Sequence, residues 1–119
     1  MLTKANRITA ADDYRGVVRR GARFVGANTV LYVRKNPEGG TPRFGFIVAK
    51  TVGNAVTRNL VRRRLKAICY SRLPSASPGV DVVIRALPPS ATAPWSDLDA
   101  EVHRSLLKSG AIRVSGSSE

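Results

Sequence analysis

The chain has 119 residues, 43% of them hydrophobic, with twenty Lys and Arg against eight Asp and Glu, a formal net charge of +12 and a pI near 11.3. That length suits one domain, and the charge predicts a polyanionic partner, either nucleic acid or an anionic membrane surface. Fifteen of the bases are Arg, whose planar fork matches phosphates and whose face stacks on bases, which favours nucleic acid. No apolar run reaches the roughly 18 residues of a membrane span, and Met1 to Arg7 lacks the apolar stretch of a secretory signal, so a cytoplasmic protein without membrane partners is expected. Cys69 is the single cysteine and His103 the single histidine, which excludes an internal disulfide and a Cys/His zinc cluster and leaves a catalytic triad without support.

The charge is unevenly placed. Met1 to Arg72 holds sixteen bases and three acids, whereas Leu73 to Glu119 holds four bases and five acids. The polyanion is therefore expected on the first 72 residues, with the remainder completing the core. A domain over residues 1–114 and a disordered tail over 115–119 (Ser-Gly-Ser-Ser-Glu) are expected.

Thr9 with Asp12 forms a capping-box pattern and Gly21 a stop, predicting a helix from about Ala10 to Arg20. A short extended piece around Arg23 to Val25 precedes a strand at Asn28 to Lys35, where alternation sets Val30 and Tyr32 on one face and Leu31 and Val33 on the other. Turn formers crowd Asn36 to Pro42, and Arg43 to Lys50 reads as a strand, so these two strands are expected to pair as an antiparallel hairpin. After Gly53, Asn54 can cap a helix running to about Tyr70, with Val61, Leu65 and Ile68 as its core stripe. Leu73 to Gly79 is a loop and Val80 to Leu87 a buried strand. Ser96 with Asp99 is a second capping-box pattern, Trp95 is expected to pack over that helix end, and Leu98, Val102 and Leu106 mark a last helix ending at Gly110. The order α-β-β-β-α-β-α predicts an α+β sandwich of helices on a small mixed sheet, with parallel pairing across the middle helix.

At 100° per residue Arg58, Asn59, Arg62, Arg63 and Lys66 fall on one continuous flank of that middle helix, and Arg64 lies on the opposite margin beside the apolar stripe. Stacked like charges repel in an isolated helix, and bound phosphates reverse the sign of that effect. No acid lies between Lys50 and Arg72, whereas a solvated surface helix ordinarily mixes both signs. Tyr14 and Tyr32 are candidates for stacking single-stranded bases, against the plainer role of core aromatics, while Phe44 and Phe46 read as core. Acids are too sparse for a two-metal nuclease site, and Ala49-Lys50-Thr51 fails the phosphate-loop pattern because the leading glycine position is Phe44.

Gly53-Asn54-Ala55-Val56, Arg58-Asn59 and Arg62-Arg63, preceded by Ala49-Lys50, resemble the signature of the bacterial ribonuclease P protein subunit. Asn6-Arg7-Ile8, Asp13-Tyr14, Arg20-Gly21, Val30-Leu31-Tyr32 and Val82-Val83-Ile84-Arg85 extend the resemblance over about Lys4 to Leu107. The resemblance implies a four-stranded mixed sheet with three helices and a left-handed β-α-β crossover, in a subunit of the ribonucleoprotein that removes the 5′ leader of precursor tRNA. It further implies that catalysis belongs to the RNA subunit and Mg²⁺ bound there; none is predicted on the protein alone, and protein-bound metal sites are left open. Carried over by position, Tyr14, Val30, Tyr32, Arg58, Asn59 and Arg62 would bind the leader. Lys50, Asn54, Arg63, Arg64, Lys66, Arg19 and Arg20 would face the catalytic RNA. Leu60 stands where the family pattern has Arg, and Val18 where an aromatic is common. A general RNA-binding or ribosomal protein is the alternative of a different class, for which Tyr14 and Tyr32 would be irrelevant. An autonomous nuclease is a third. Self-association is left open.

Overall fold

The computed structural model describes residues 2–113, so the expectation for the tail at 115–119 and the end of the domain at 114 lies outside them. Seven elements follow in the expected order: α1 (Ala11–Arg20), β1 (Ala22–Val25), β2 (Thr29–Lys35), β3 (Arg43–Ile47), α2 (Ala55–Arg72), β4 (Val80–Ala86) and α3 (Trp95–Ser109). They build an α+β fold with the strands in the order β1-β2-β4-β3. The pair β3 and β4 is parallel across α2, with Phe44 opposite Val82, as the sequence suggests.

The expected hairpin between β2 and β3 does not form, because β4 lies between them. β2 pairs antiparallel with β1, Leu31 opposite Phe24, and with β4, Leu31 opposite Ile84. Only Arg85 of β4 is exposed, and a strand so nearly buried on both faces gains most from the centre of a sheet. The turn formers between β2 and β3 instead reach the approach to β4. The Asn36 amide donates to the Gly79 carbonyl at 2.7 Å, and the Gly79 amide donates to the Gly40 carbonyl at 2.7 Å.

Alternation along β2 divides the core. Leu31 faces Val61, Leu65 and Ile68 of α2 and Leu98, Val102 and Leu106 of α3, together with Phe44 and Ile84. Val30 and Tyr32 join Val83 on the other face beneath Val17 of α1, with Ile8 completing that smaller cluster. Val17 is fully buried, a contribution of about 1.5–3 kcal/mol toward holding α1 on the sheet. An ionic clamp adds to it. Arg43 donates from Nε to Asp81 Oδ1 at 2.9 Å and from Nη2 to Oδ2 at 2.8 Å, and its Nη1 reaches Asp13 of α1 at 3.3 Å. Asp81 is wholly buried, and its bonds hold the Arg43 guanidinium above its ordinary pKa against the opposing effect of burial.

Local signals at the helix ends need three corrections. Ala10, not Thr9, is the N-cap of α1, and its carbonyl receives the Asp13 and Tyr14 amides at 3.1 and 3.2 Å. Pro94, not Ser96, caps α3, so Trp95 is the first helical residue and remains 46% exposed rather than packed over the end. Gly21 ends α1 in an extended conformation, and the reason for glycine is proximity: a Cβ there would lie 2.8 Å from the Val33 carbonyl oxygen. Gly110, by contrast, ends α3 in the left-handed conformation at φ 78°.

Candidate nucleic-acid interface

The basic face of α2 is set at the start of the helix. Gly53 has φ 157°, and a Cβ there would meet Thr57 Cγ2 at 2.9 Å, so only glycine lets the chain turn into α2 at this point. Asn54 then accepts the Thr57 amide at 2.9 Å through Oδ1, the N-cap that the sequence predicts. With Val61, Leu65 and Ile68 buried, helical geometry turns Asn59 and Arg63 fully outward and leaves Arg58, Arg62 and Lys66 partly exposed. Among the described residues no carboxylate forms an ion pair with Arg58, Arg62, Arg63, Arg64 or Lys66.

Two concavities meet on this face. One, of about 180 Å³, is bounded by Arg7, Ile8 and Thr9, by Tyr14 of α1, by Phe44 and Phe46 of β3, and by Arg62 and Lys66. The other, of about 490 Å³, runs along α2 past Val56, Asn59, Arg62, Arg63 and Lys66. Arg62 and Lys66 therefore stand on the ridge between them, and Arg62 Nη1 donates to Asn59 Oδ1 at 3.1 Å. The N-terminal wall is held by the sheet. Arg7 bridges in parallel to Phe44, and the Ile8 amide donates to the Phe44 carbonyl at 2.9 Å.

Tyr14 belongs to this smaller concavity. Its hydroxyl accepts the Phe46 amide at 3.2 Å, which fixes the phenol on the edge strand β3. Val30 and Tyr32 are not in either concavity: they are 9% and 6% exposed, beneath α1, with the Arg85 guanidinium 5.8 Å from the centre of the Tyr32 ring. Lys50 is exposed in the turn before α2, and Arg19 and Arg20 are exposed in the last turn of α1. Arg64 donates to the Ala93 carbonyl at 3.3 Å and so ties α2 to the segment before α3. Leu60 is 36% exposed, and Val18 packs at the margin of the smaller core cluster.

Arg7, Thr9 and Arg85 are the additions that site reasoning on the sequence missed. Arg7 and Arg85 occur in the stretches that carry the family resemblance, but nothing local in either stretch says that its side chain reaches a concavity or a tyrosine. The remaining reactive residue types have structural partners. Cys69 is fully buried and burial pushes its thiol pKa up, and His103 Nδ1 accepts from Arg72 Nε at 2.9 Å between α2 and α3. Among the described residues no group of three or more His, Cys, Asp or Glu side chains could hold a metal, and no helix is long and apolar enough to cross a membrane.

A sequence model of the family described as Ribonuclease P matches residues 2–110. The chain is 48% identical over 102 residues to the ribonuclease P protein component of Clavibacter michiganensis, covering 86% of this chain and 90% of that one. It is 43% identical to the corresponding component of Beutenbergia cavernae, covering 92% of each. Its fold is similar to the solved RNase P protein of Staphylococcus aureus, with TM-score 0.85 at 23% identity over 92% of this chain and all of that one. The Thermotoga maritima RNase P protein matches with TM-score 0.76 at 19% identity, covering 86% and 96%. By the family match and by these identities, the chain belongs to the bacterial ribonuclease P protein family and is a protein component of ribonuclease P.

Proposed function

We propose that this subunit holds the single-stranded 5′ leader of precursor tRNA in the concavity between Tyr14 and α2 and seats the outward side of α2 on the RNA subunit. The observation that carries this reading is the shared ridge. Arg62 and Lys66 line both concavities and have no carboxylate partner among the described residues, so one row of cations can neutralise phosphates of two RNA strands. Tyr14, Phe44 and Phe46 give the smaller concavity an aromatic wall suited to bases or riboses.

The chemistry of phosphodiester hydrolysis we assign to the RNA subunit and the Mg²⁺ held there. Four acids among the described residues are engaged in structure: Asp81 and Asp13 with Arg43, Asp99 with Arg72, and Glu101 with Asn28 and Thr29. The protein's contribution is positional and electrostatic. It adds binding energy to precursor over mature tRNA, and it screens repulsion between two RNAs so that metal sites in the RNA form at lower Mg²⁺. On the same reading we assign the holoenzyme to the cytoplasm.

Single-turnover cleavage of a 5′-extended precursor tRNA by the cognate catalytic RNA at low Mg²⁺ tests the reading. Cleavage at the mature 5′ end that requires both RNA and protein is the expected result. Salt-sensitive RNA binding without stimulation of cleavage would overturn it in favour of a general RNA-binding protein, and cleavage by protein alone would overturn the assignment of chemistry to RNA.

A further inference from the structure

Residues 73–119 have nearly balanced formal charge, but among the described residues two of the acids are withdrawn from the surface. Asp81 is wholly buried against Arg43, and Glu101 is 6% exposed. Both Glu101 oxygens are occupied by the β1–β2 turn: Oε1 accepts from the Asn28 amide and Nδ2 at 3.1 Å each, and Oε2 accepts from Thr29 Oγ1 at 2.6 Å. Glycine at position 26 permits this approach, since a Cβ there would lie 2.5 Å from Oε2. These two acids turn inward, whereas Arg104 and Lys108 are exposed.

The consequence is a concavity of about 270 Å³ between the edge strand β1 and α3, lined by Arg23, Arg104 and Lys108 and also by Glu101, whose carboxylate is already occupied. The three bases are exposed, and none forms an ion pair among the described residues. Arg104 and Lys108 are one helical turn apart, with Cβ atoms about 6 Å from each other, a mutually repulsive pair unless an anion lies between them. β1 adds backbone donors. The Gly26 amide donates to the Thr29 carbonyl at 2.8 Å, so by ladder alternation the Arg23 and Val25 amides face away from β2 toward the open edge. Three cations and outward amides around a concavity match phosphodiester oxygens.

We infer that the β1–α3 groove is a second RNA-backbone site, made by Arg23, Arg104 and Lys108, which grips the RNA subunit at the sheet edge opposite β3. This rests on the reading of the protein as an RNA-binding subunit. The strand order sets β1 and β3 at opposite edges of the sheet, so a leader strand seated beside β3 does not occupy this groove, whereas a large folded RNA can reach both edges.

The test uses the full chain with the catalytic RNA and with precursor tRNA separately, measuring affinity as a function of salt. For Arg104→Ala/Lys108→Ala the expected result is affinity for the catalytic RNA weakened about tenfold at low salt, with the slope of log K against log salt reduced by roughly 1 to 2. Arg104→Lys/Lys108→Arg, which keeps both charges, should retain the slope. The effect should add to that of Arg62→Ala/Lys66→Ala. An unchanged slope in the α3 variant, with the α2 variant still weakened, would overturn the second site while leaving the proposed function standing; a groove built for an acidic peptide gives this result. Weakening seen only with precursor tRNA would overturn the assignment to the RNA subunit. If the α2 variant also leaves RNA affinity unchanged, the proposed function itself fails.

Discussion

The ring of Tyr14 occupies the space that a side chain at position 45 would need: a Cβ on Gly45 would lie 2.6 Å from Tyr14 Cε1 and 2.8 Å from its hydroxyl. A Gly45→Ala variant must therefore displace the phenol and break its bond with the Phe46 amide. The expected cost is about 1–3 kcal/mol by urea unfolding, together with weaker leader binding. In a Tyr14→Ala background the same substitution should cost far less, a non-additivity that identifies the contact as the cause.

The ridge formed by Arg62 and Lys66 makes an electrostatic prediction. Arg62→Ala/Lys66→Ala should lower the slope of log K against log salt for RNA by roughly 1.5 to 2 while leaving the melting temperature nearly unchanged. Loss of affinity without a change of slope would mean that these side chains act through shape rather than charge.

Arg43 is the structural counterpart of those free cations. Replacing it by Met leaves Asp81 buried with only Arg34, 3.6 Å away, as a cationic neighbour. Destabilisation of about 3 kcal/mol is expected, because a buried charge loses its main partner. The distant Asn54→Ala change should cost about 1 kcal/mol by removing the cap on α2, and thermal or urea unfolding of the two variants reads both.

Much of α2 is legible in the sequence because its determinants are local: the Asn54 cap, the Val61-Leu65-Ile68 stripe and the uninterrupted bases all lie within one helix. The division of Val30 and Tyr32 from Leu31 is legible for the same reason, since it follows from strand alternation. The partner of β2 is not, because pairing is decided by β4, some fifty residues further along the chain, and by the bonds that Asn36 and Gly40 make with Gly79. Thr9 shows the limit of a motif. Its capping-box spacing is correct, yet the helix starts one residue later and Thr9 lines the concavity. Among the aromatics, residue type alone cannot separate Tyr14, which reaches the concavity, from Tyr32, which lies under α1.

Leu60 lies on α2 at 36% exposure, where the family pattern has Arg. Leu60→Arg should raise the salt slope for RNA binding by about 0.9 and change stability by less than about 0.5 kcal/mol. Filter binding across a salt series, with unfolding as the control, checks both.

The most direct measurement for the account as a whole is the affinity of the reconstituted holoenzyme for precursor tRNAs whose 5′ leaders are lengthened one nucleotide at a time, compared with mature tRNA. Affinity should rise as the leader grows into the Tyr14 concavity and then level off, and Arg62→Ala should reduce that gain. Affinity independent of leader length would contradict it.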